Sequence, residues 1–205
     1  MKTICITGHS GSGKTTASHL MEKYLPNAFY IRKLDDMFYA IKNRDELEET
    51  YGIRIPADID NERYYMLEIA KTYPNREEKF MELLGQLTDK NMDAAVLYAV
   101  EMYQPDYIIQ EGLAMLYSKY WRDADYRIIV EPSCWERLIQ FVALRREKQP
   151  IVDETLANER RIAFQETIDN AQNVSFRISN NYDDRFEQTI QSICEEITKQ
   201  QEPHL

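Results

Sequence analysis

The sequence predicts an α/β fold, with one parallel sheet of five strands and helices on both of its faces. Three observations predict it. Short runs rich in β-branched residues alternate along the chain with longer stretches of helical periodicity, the order that crossover helices impose on a parallel sheet. The runs are apolar at consecutive positions, as strands buried on both faces are. The first run passes straight into GHSGSGKTT, residues 8 to 16, where a glycine-rich turn opens a helix.

The elements follow in order. Lys2 to Thr7 (KTICIT) is the first strand, ended by Gly8. In residues 14 to 24, Ala17, Leu20, Met21 and Tyr24 recur at helical spacing, and Pro26 with Asn27 ends that helix. Ala28 to Arg32 (AFYIR) is a short second strand. From about Asp45 to Tyr103 the pattern is polar and helical. Its apolar positions Leu67, Ile69, Phe80, Leu83, Leu84 and Leu87 recur at threes and fours, and breaks near Pro56 and Pro74 predict several helices. DYIIQEG after Pro105, YRIIVEP (Tyr126 to Pro132) and VSFRIS (Val174 to Ser179) are the remaining strands. Helices fill residues 134 to 148, 153 to 171 and 183 to 199, and the tail QQEPHL frays. The sequence shows neither internal repeats nor low-complexity segments.

At 205 residues the chain suits one compact domain, and 43% apolar residues suffice for a core. The net charge of −10 argues against general nucleic-acid binding, which needs basic charge facing phosphates. The three cysteines, Cys5, Cys134 and Cys194, have no metal-type spacing, and their odd number fits a reducing cytosol better than a disulfide framework. Cys5 reads as a core residue of the first strand. The N-terminal apolar run is too short for a signal peptide, and no stretch approaches the roughly 20 residues that span a bilayer. A cytoplasmic protein without membrane or nucleic-acid partners is expected.

Gly8, Gly13, Lys14 and Thr15 fill GxxxxGK[ST] in full. Glycines allow a tight loop whose backbone N–H groups turn inward around phosphate oxygens, and the helix that follows points its positive end at the same place. The candidate nucleotide-binding residues are Gly8, His9, Ser10, Gly11, Ser12, Gly13, Lys14, Thr15 and Thr16. Lys14 reaches β- and γ-phosphates and Thr15 ligates Mg²⁺. His9 stands at a variable position of the loop. Asn-Lys occurs nowhere and no glycine has Asp three places before it, so both Ras-type GTPase signatures are missing. The third strand ends in Gln110 and Glu111, where an ATPase motor would carry four apolar residues and then Asp. A small-molecule kinase is the class left in front.

A kinase needs a group to orient the acceptor hydroxyl and take its proton. Asp35 and Asp36, in KLDDMFYAI, follow the second strand and so lie where ligands of an open parallel sheet bind, at the strands' C-terminal ends. Asp35 is favoured as the base, though the two are hard to separate. Glu111 is a candidate to bind Mg²⁺ through water or to hold the acceptor. Phe38, Tyr39, Tyr64 and Tyr65 are available to stack on an acceptor ring, or to pack in the core. Arg145, Arg146 and Lys148, followed by Arg160 and Arg161, form a basic cluster on an acidic chain. A lid carrying such charge stabilises a transferring phosphoryl group and excludes water.

GHSGSGKTT, LDDMFY, IIQEG and the paired arginines resemble the P-loop nucleoside and coenzyme kinases. The overall likeness is greatest to dephospho-CoA kinase. IDNERYYMLEIAKTYPNREEKFMELL resembles that family's helical acceptor region. ERRIAFQ resembles its lid helix ending in Arg-x-x-x-Gln, here Arg161 and Gln165, and NVSFRISNN with DDRFEQTIQSI resembles its last strand, an Asn and a closing helix. The resemblance implies a three-layer P-loop NTPase fold in a single domain. Its core is 1–44 and 104–205, its acceptor-binding insertion about 45–103, and its lid about 145–161.

It also implies ATP and Mg²⁺, with the nucleotide against loops near the chain's end. The reaction implied is phosphorylation of the ribose 3′-hydroxyl of dephospho-CoA, with Lys14, Asp35, Asp36 and Arg145 catalytic. Arg146 would sit on the nucleotide, Asp35, Phe38, Glu111 and Arg161 on the acceptor, and Thr15 and Glu111 on the metal. A monomer or small homo-oligomer is expected. The chain departs from the family where it reads GQLTDKN in place of a His-Pro, and QEGLAML in place of a proline-containing stretch after the third strand. LDDMFY and IIQEGLAML also resemble uridine and nicotinamide riboside kinases, in which the Asp pair binds ribose. A sensor that binds ATP without transferring it needs no proton acceptor, so the paired carboxylates speak against one.

Overall fold

The computed structural model describes residues 1–31, 76–139 and 154–200. Five strands form one sheet, β1 (Lys2–Thr7), β2 (Ala28–Tyr30), β3 (Tyr107–Glu111), β4 (Tyr126–Pro132) and β5 (Phe176–Asn180), in the order β2-β3-β1-β4-β5. Every pairing is parallel. The helices are α1 (Lys14–Tyr24), α2 (Arg76–Tyr103), α3 (Lys119–Asp123), α4 (Glu154–Asp169) and α5 (Asp184–Lys199). A 3-10 turn covers Leu113–Tyr117, and residues 135–139 are helical. This is the α/β fold that the sequence predicts, with β1 at the centre of the sheet.

Alternation along the strands builds two cores, one on each face of the sheet. Ile4 and Ile6 of β1, Tyr107 and Ile109 of β3, and Ile128 and Val130 of β4 point one way, towards Ala17 and Met21 of α1. Phe186, Ile190, Ile193, Cys194 and Ile197 of α5 join them there, recurring at threes and fours. Cys5, Ile108 and Ile129 point the other way, to Met92 and Ala99 of α2, Met115, Trp121, and Phe164 and Ile168 of α4. Each isoleucine so buried contributes about 1.5–3 kcal/mol relative to exposure. Cys5 is a core residue, as its strand position predicts.

The same registers fix the site. Ile6 of β1 stands opposite Glu111 of β3 and Ile128 of β4, so β1 and β3 finish at one level while β4 runs on to Pro132. The β1–α1 turn and the β3 end therefore share one rim, and Gly112 N–H closes it by donating to Ile6 O at 3.1 Å. β1, β4 and α1 have the bounds that the sequence predicts. β3 is shorter by its flanking Asp106 and Gly112, and β5 begins at Phe176 and runs on to Asn180.

One stretch differs from expectation, and a neighbouring helix explains how it is held. Residues 76–103, which follow the expected break at Pro74, form one unbroken helix of 28 residues. Gly85 falls inside it and acts as a contact point: a Cβ there would lie 2.7 Å from Cβ of Tyr117 in the 3-10 turn. The turn and α3 are the difference, because LAMLYSKYWRD carries no predicted element. Ser118 caps α3 by accepting from Tyr120 N–H, and Asp89 of α2 accepts from Lys119 N–H at 3.0 Å and from the Ser118 hydroxyl. The expected breaks at Pro56 and Pro74, the remainder of the helices expected over residues 45–75 and 140–153, and the tail from residue 201 lie outside the described residues.

Candidate functional site

The phosphate loop is built where β1 stops and α1 starts. Gly8, Gly11 and Gly13 have φ values of 145°, 84° and 105°, a backbone region that side chains disfavour. Space forbids side chains as well. A Cβ on Gly8 would lie 2.1 Å from Val130 O, and one on Gly13 would lie 2.4 Å from Nδ2 of Asn180. Gly13 is the N-cap of α1 and supplies no side-chain acceptor, and the first turn carries no acidic residue. The amide donors at the start of this helix are thus left to an anion.

Lys14 and Thr15 leave that helix end on different errands. The Lys14 ammonium, buried within the loop, donates to His9 O at 2.8 Å. Thr15 Oγ1 donates to Glu111 Oε1 at 2.9 Å. The same oxygen accepts from the Tyr30 hydroxyl at 3.1 Å. Tyr30 ends β2, is buried, and meets the ring of His19 edge-on at 5.1 Å. Burial, followed by the Glu111 charge, pushes the Tyr30 phenol well above its ordinary value, so it remains a donor. Glu111 is the last residue of a fully buried strand and is itself buried, with one oxygen taken by two hydroxyls. Ser10, Thr15 and Thr16 are exposed on the mouth of the loop.

The loop is gripped from β5. Asn180 Nδ2 donates to Ser12 O at 2.8 Å, Asn180 Oδ1 accepts from Tyr182 N–H at 2.7 Å, and the Tyr182 hydroxyl donates to Gly11 O at 3.3 Å. Ser12 Oγ is buried and has no partner among the described residues.

His9 stands at a position whose residue the motif leaves open, and here it is only 4% exposed. Its ring packs edge-on against Trp135 at 4.9 Å and Phe164 of α4 at 5.1 Å. Its Nε2 lies 2.7 Å from Gln165 Oε1, and a carbonyl oxygen only accepts, so the proton is on Nε2. Gln165 Nε2 donates in turn to Asp169 Oδ1 at 2.7 Å. Burial holds the imidazole below its ordinary pKa, the Lys14 and Arg161 charges push the same way, and the Gln165 bond and Asp169 oppose them.

The structure therefore brings together the loop residues 8–16 and Glu111, with Arg161 on α4 close enough to act on His9. Asp35, Asp36, Phe38, Arg145 and Arg146 lie outside the described residues. Tyr30, Asn180, Tyr182 and Trp135 carry no role in the sequence reading. Among the described residues no group of three or more His, Cys, Asp or Glu could hold a metal, and no helix is long and apolar enough to cross a membrane. A hydroxyl beside one carboxylate suits Mg²⁺, which keeps several of its waters.

No protein-family model matches the chain, and no curated protein sequence matches it. Solved structures do. The protein TT1252 from Thermus thermophilus shares 14% identity at a TM-score of 0.65, covering 98% of this chain and 97% of its own. Shikimate kinase from Bacteroides thetaiotaomicron shares 15% identity at a TM-score of 0.51, over 97% of this chain and 98% of its own. Dephospho-CoA kinase from Campylobacter jejuni shares 11% identity over 97% of this chain and 96% of its own, but its TM-score of 0.45 is too low to weigh between acceptors. The likenesses to TT1252 and to shikimate kinase establish the fold. The resemblance to P-loop kinases read from the motifs is borne out at that level.

Proposed function

We propose that the chain is an ATP-dependent small-molecule kinase that moves the γ-phosphate of Mg·ATP to a ribose-type hydroxyl, with the 3′-hydroxyl of dephospho-CoA as acceptor. The observation that carries the kinase reading is the Thr15–Glu111 pair at 2.9 Å, set beside Lys14 at the mouth of a complete phosphate loop. The residues present fit a polyphosphate: a helix start with no capping side chain, two glycines with no room for a Cβ, and a buried Ser12 hydroxyl without a partner among the described residues. They fit Mg²⁺ through Thr15 and Glu111. The metal bound there would neutralise charge on the β- and γ-phosphates.

In this reading Lys14 exchanges His9 O for the phosphate oxygens. The loop amides and the α1 N-terminus hold the β-phosphate, and the Asn180–Tyr182 segment braces the loop from the side where the chain ends. Asp35 or Asp36 takes the proton of the acceptor hydroxyl. Arg145, Arg146 and Arg161 supply positive charge as the phosphoryl group crosses. Phe38 and Glu111 help to hold the acceptor, which residues 45–103 select, with about 145–161 acting as lid over a core of 1–44 and 104–205. The enzyme works in the cytoplasm as a monomer or small homo-oligomer, on a small molecule and without nucleic acid or membrane.

The acceptor rests on the sequence likeness of the helical stretch, ERRIAFQ and NVSFRISNN to dephospho-CoA kinase. The test is ADP release with dephospho-CoA, uridine, cytidine and nicotinamide riboside in parallel. Turnover of dephospho-CoA supports the proposal. Turnover of a nucleoside alone moves the enzyme to the nucleoside kinases, which LDDMFY and IIQEGLAML also resemble. ATP binding without turnover of any acceptor makes it a sensor.

A further inference from the structure

A loop that wraps phosphates has backbone work to do, and its side chains commonly face solvent. His9 is different. It leaves the loop at its second residue and is 4% exposed, closed between Trp135 and Phe164. Its one hydrogen-bonding proton on Nε2 goes to Gln165, and Gln165 is held in turn by Asp169. Three consecutive polar groups are thereby in line, each donor matched to an acceptor, from the phosphate loop into the last turn of α4. Shape and hydrogen bonding both specify this contact, and neither touches the sheet.

Arg161 is one helical turn before Gln165 on α4, so the two share a face. The Arg161 charge acts on His9, as does that of Lys14 from inside the loop. The helix face that His9 fixes is therefore the face on which Arg161 stands. Because α4 carries Arg161, where its charge sits depends on the height and rotation of α4 relative to the loop, and the His9–Gln165 bond is a direct tie between the two.

We infer that His9 is a positioning residue, setting α4 through Gln165 so that Arg161 stands over the transferring phosphoryl group. The inference rests on the kinase reading of the loop, and deepens it by assigning the residue that aligns one of its cations. A 1 Å misplacement of a charge aimed at a developing one costs orders of magnitude in rate, so a residue that touches no substrate can control turnover.

The test separates alignment from loop integrity. Affinities for Mg·ADP and for Mg·ADP with aluminium fluoride, which adds a mimic of the transferring group, are measured for the wild type, His9→Leu, Gln165→Met, the double variant and His9→Gln. They are measured with the acceptor that turns over, or without acceptor if none does. Leucine keeps the apolar contacts and loses the donor, whereas glutamine places an N–H near the position of Nε2.

The expected result is a loss of about tenfold or more in affinity for the fluoride complex in each single variant, with Mg·ADP affinity and thermal stability within about twofold and a few degrees of the wild type. The double variant should lose no more than the worse single one, as residues acting through one bond do. His9→Gln should recover most of the loss, and kcat, where turnover exists, should fall without a matching rise in KM for ATP. Equal falls for both complexes would mean that His9 only shapes the loop, and unchanged ratios would mean that it aligns nothing; either overturns the inference. A wild type that binds the fluoride complex in this His9-dependent way yet phosphorylates nothing would remove the kinase reading and leave the alignment standing.

Discussion

Thr15 and Glu111, 96 residues apart in sequence, meet across the mouth of the phosphate loop, with Oγ1 donating to Oε1 at 2.9 Å. The pairing of β1 with β3 puts Glu111 opposite Ile6, two residues before Gly8, and so makes that meeting unavoidable. If these two groups hold Mg²⁺, Glu111→Gln keeps the shape and removes the charge. The Mg²⁺ concentration for half-maximal turnover should rise about 10- to 100-fold, with nucleotide binding in the absence of metal little changed. Tyr30→Phe removes the second donor to the same oxygen and should shift the Mg²⁺ requirement in the same direction by less. An unaltered Mg²⁺ titration for Glu111→Gln would take that residue out of the metal site.

Lys14 is buried in the loop with its ammonium on His9 O. It is the one side-chain cation of the GxxxxGK[ST] motif. Replacement by alanine should lower turnover about 10²- to 10³-fold, the usual cost of a lost group that stabilises transition-state charge. Full ATP turnover by Lys14→Ala, measured as ADP release, would show the loop assignment to be wrong.

Gly13 and Asn180 test the loop's mechanical support. Gly13→Ala places a methyl 2.4 Å from Asn180 Nδ2 at a φ of 105°, so it carries both a clash and a backbone cost. Asn180→Ala removes the donor to Ser12 O and the acceptor of Tyr182 N–H, and should cost about 1–3 kcal/mol. Together they should cost less than the sum of the two, because the second substitution removes the clash created by the first. Urea denaturation of the four proteins reads this directly. Strict additivity would show that the Asn180 side chain yields freely and does not brace the loop.

The bounds of β1, β4 and α1 could be read directly, because each ends at a residue with its own physical signal: glycine after Thr7, Pro132, and Pro26 with Asn27. The sheet order could not be read, since it depends on which strand lies beside which. Within the site, the loop and Glu111 were legible because a motif and a strand end mark them. Asn180, Tyr30 and Trp135 were not, because their roles come from contacts with residues tens to hundreds of positions away. The surroundings of His9 were not legible for a related reason: motif spacing says nothing about what fills the space beside the loop, and Trp135, Phe164 and Gln165 fill it. The helix of residues 76–103 was legible in its period, but the packing of Gly85 on Tyr117 was not, since a lone glycine in a helical pattern does not say what lies against it.

Asp35 and Asp36 remain the candidates for the proton acceptor. Asp35→Asn and Asp36→Asn should behave differently, with one of them losing about 10²-fold or more in kcat and leaving ATP affinity near that of the wild type. The other should alter KM for the acceptor if it orients the ribose. Wild-type kcat in both variants would place the base elsewhere.

His9 adds a signature in acid. Burial lowers its pKa, the charges of Lys14 and Arg161 add to that effect, and the Gln165 bond and the Asp169 carboxylate work against it. The unfolded chain takes up a proton at the ordinary value of 6.5, and the folded chain only at lower pH. Stability is therefore unaffected by this group above pH 6.5 and is lost as the pH falls below it towards the folded value. The slope is at most about 1.4 kcal/mol per pH unit for one such group. His9→Gln cannot take up that proton. Denaturation at about pH 7.5 and about pH 5.5 should then show the wild type losing more stability between the two than the variant does. Equal losses would assign the acid sensitivity to the carboxylates and show that the imidazole is as easily protonated in the folded chain as in the unfolded one.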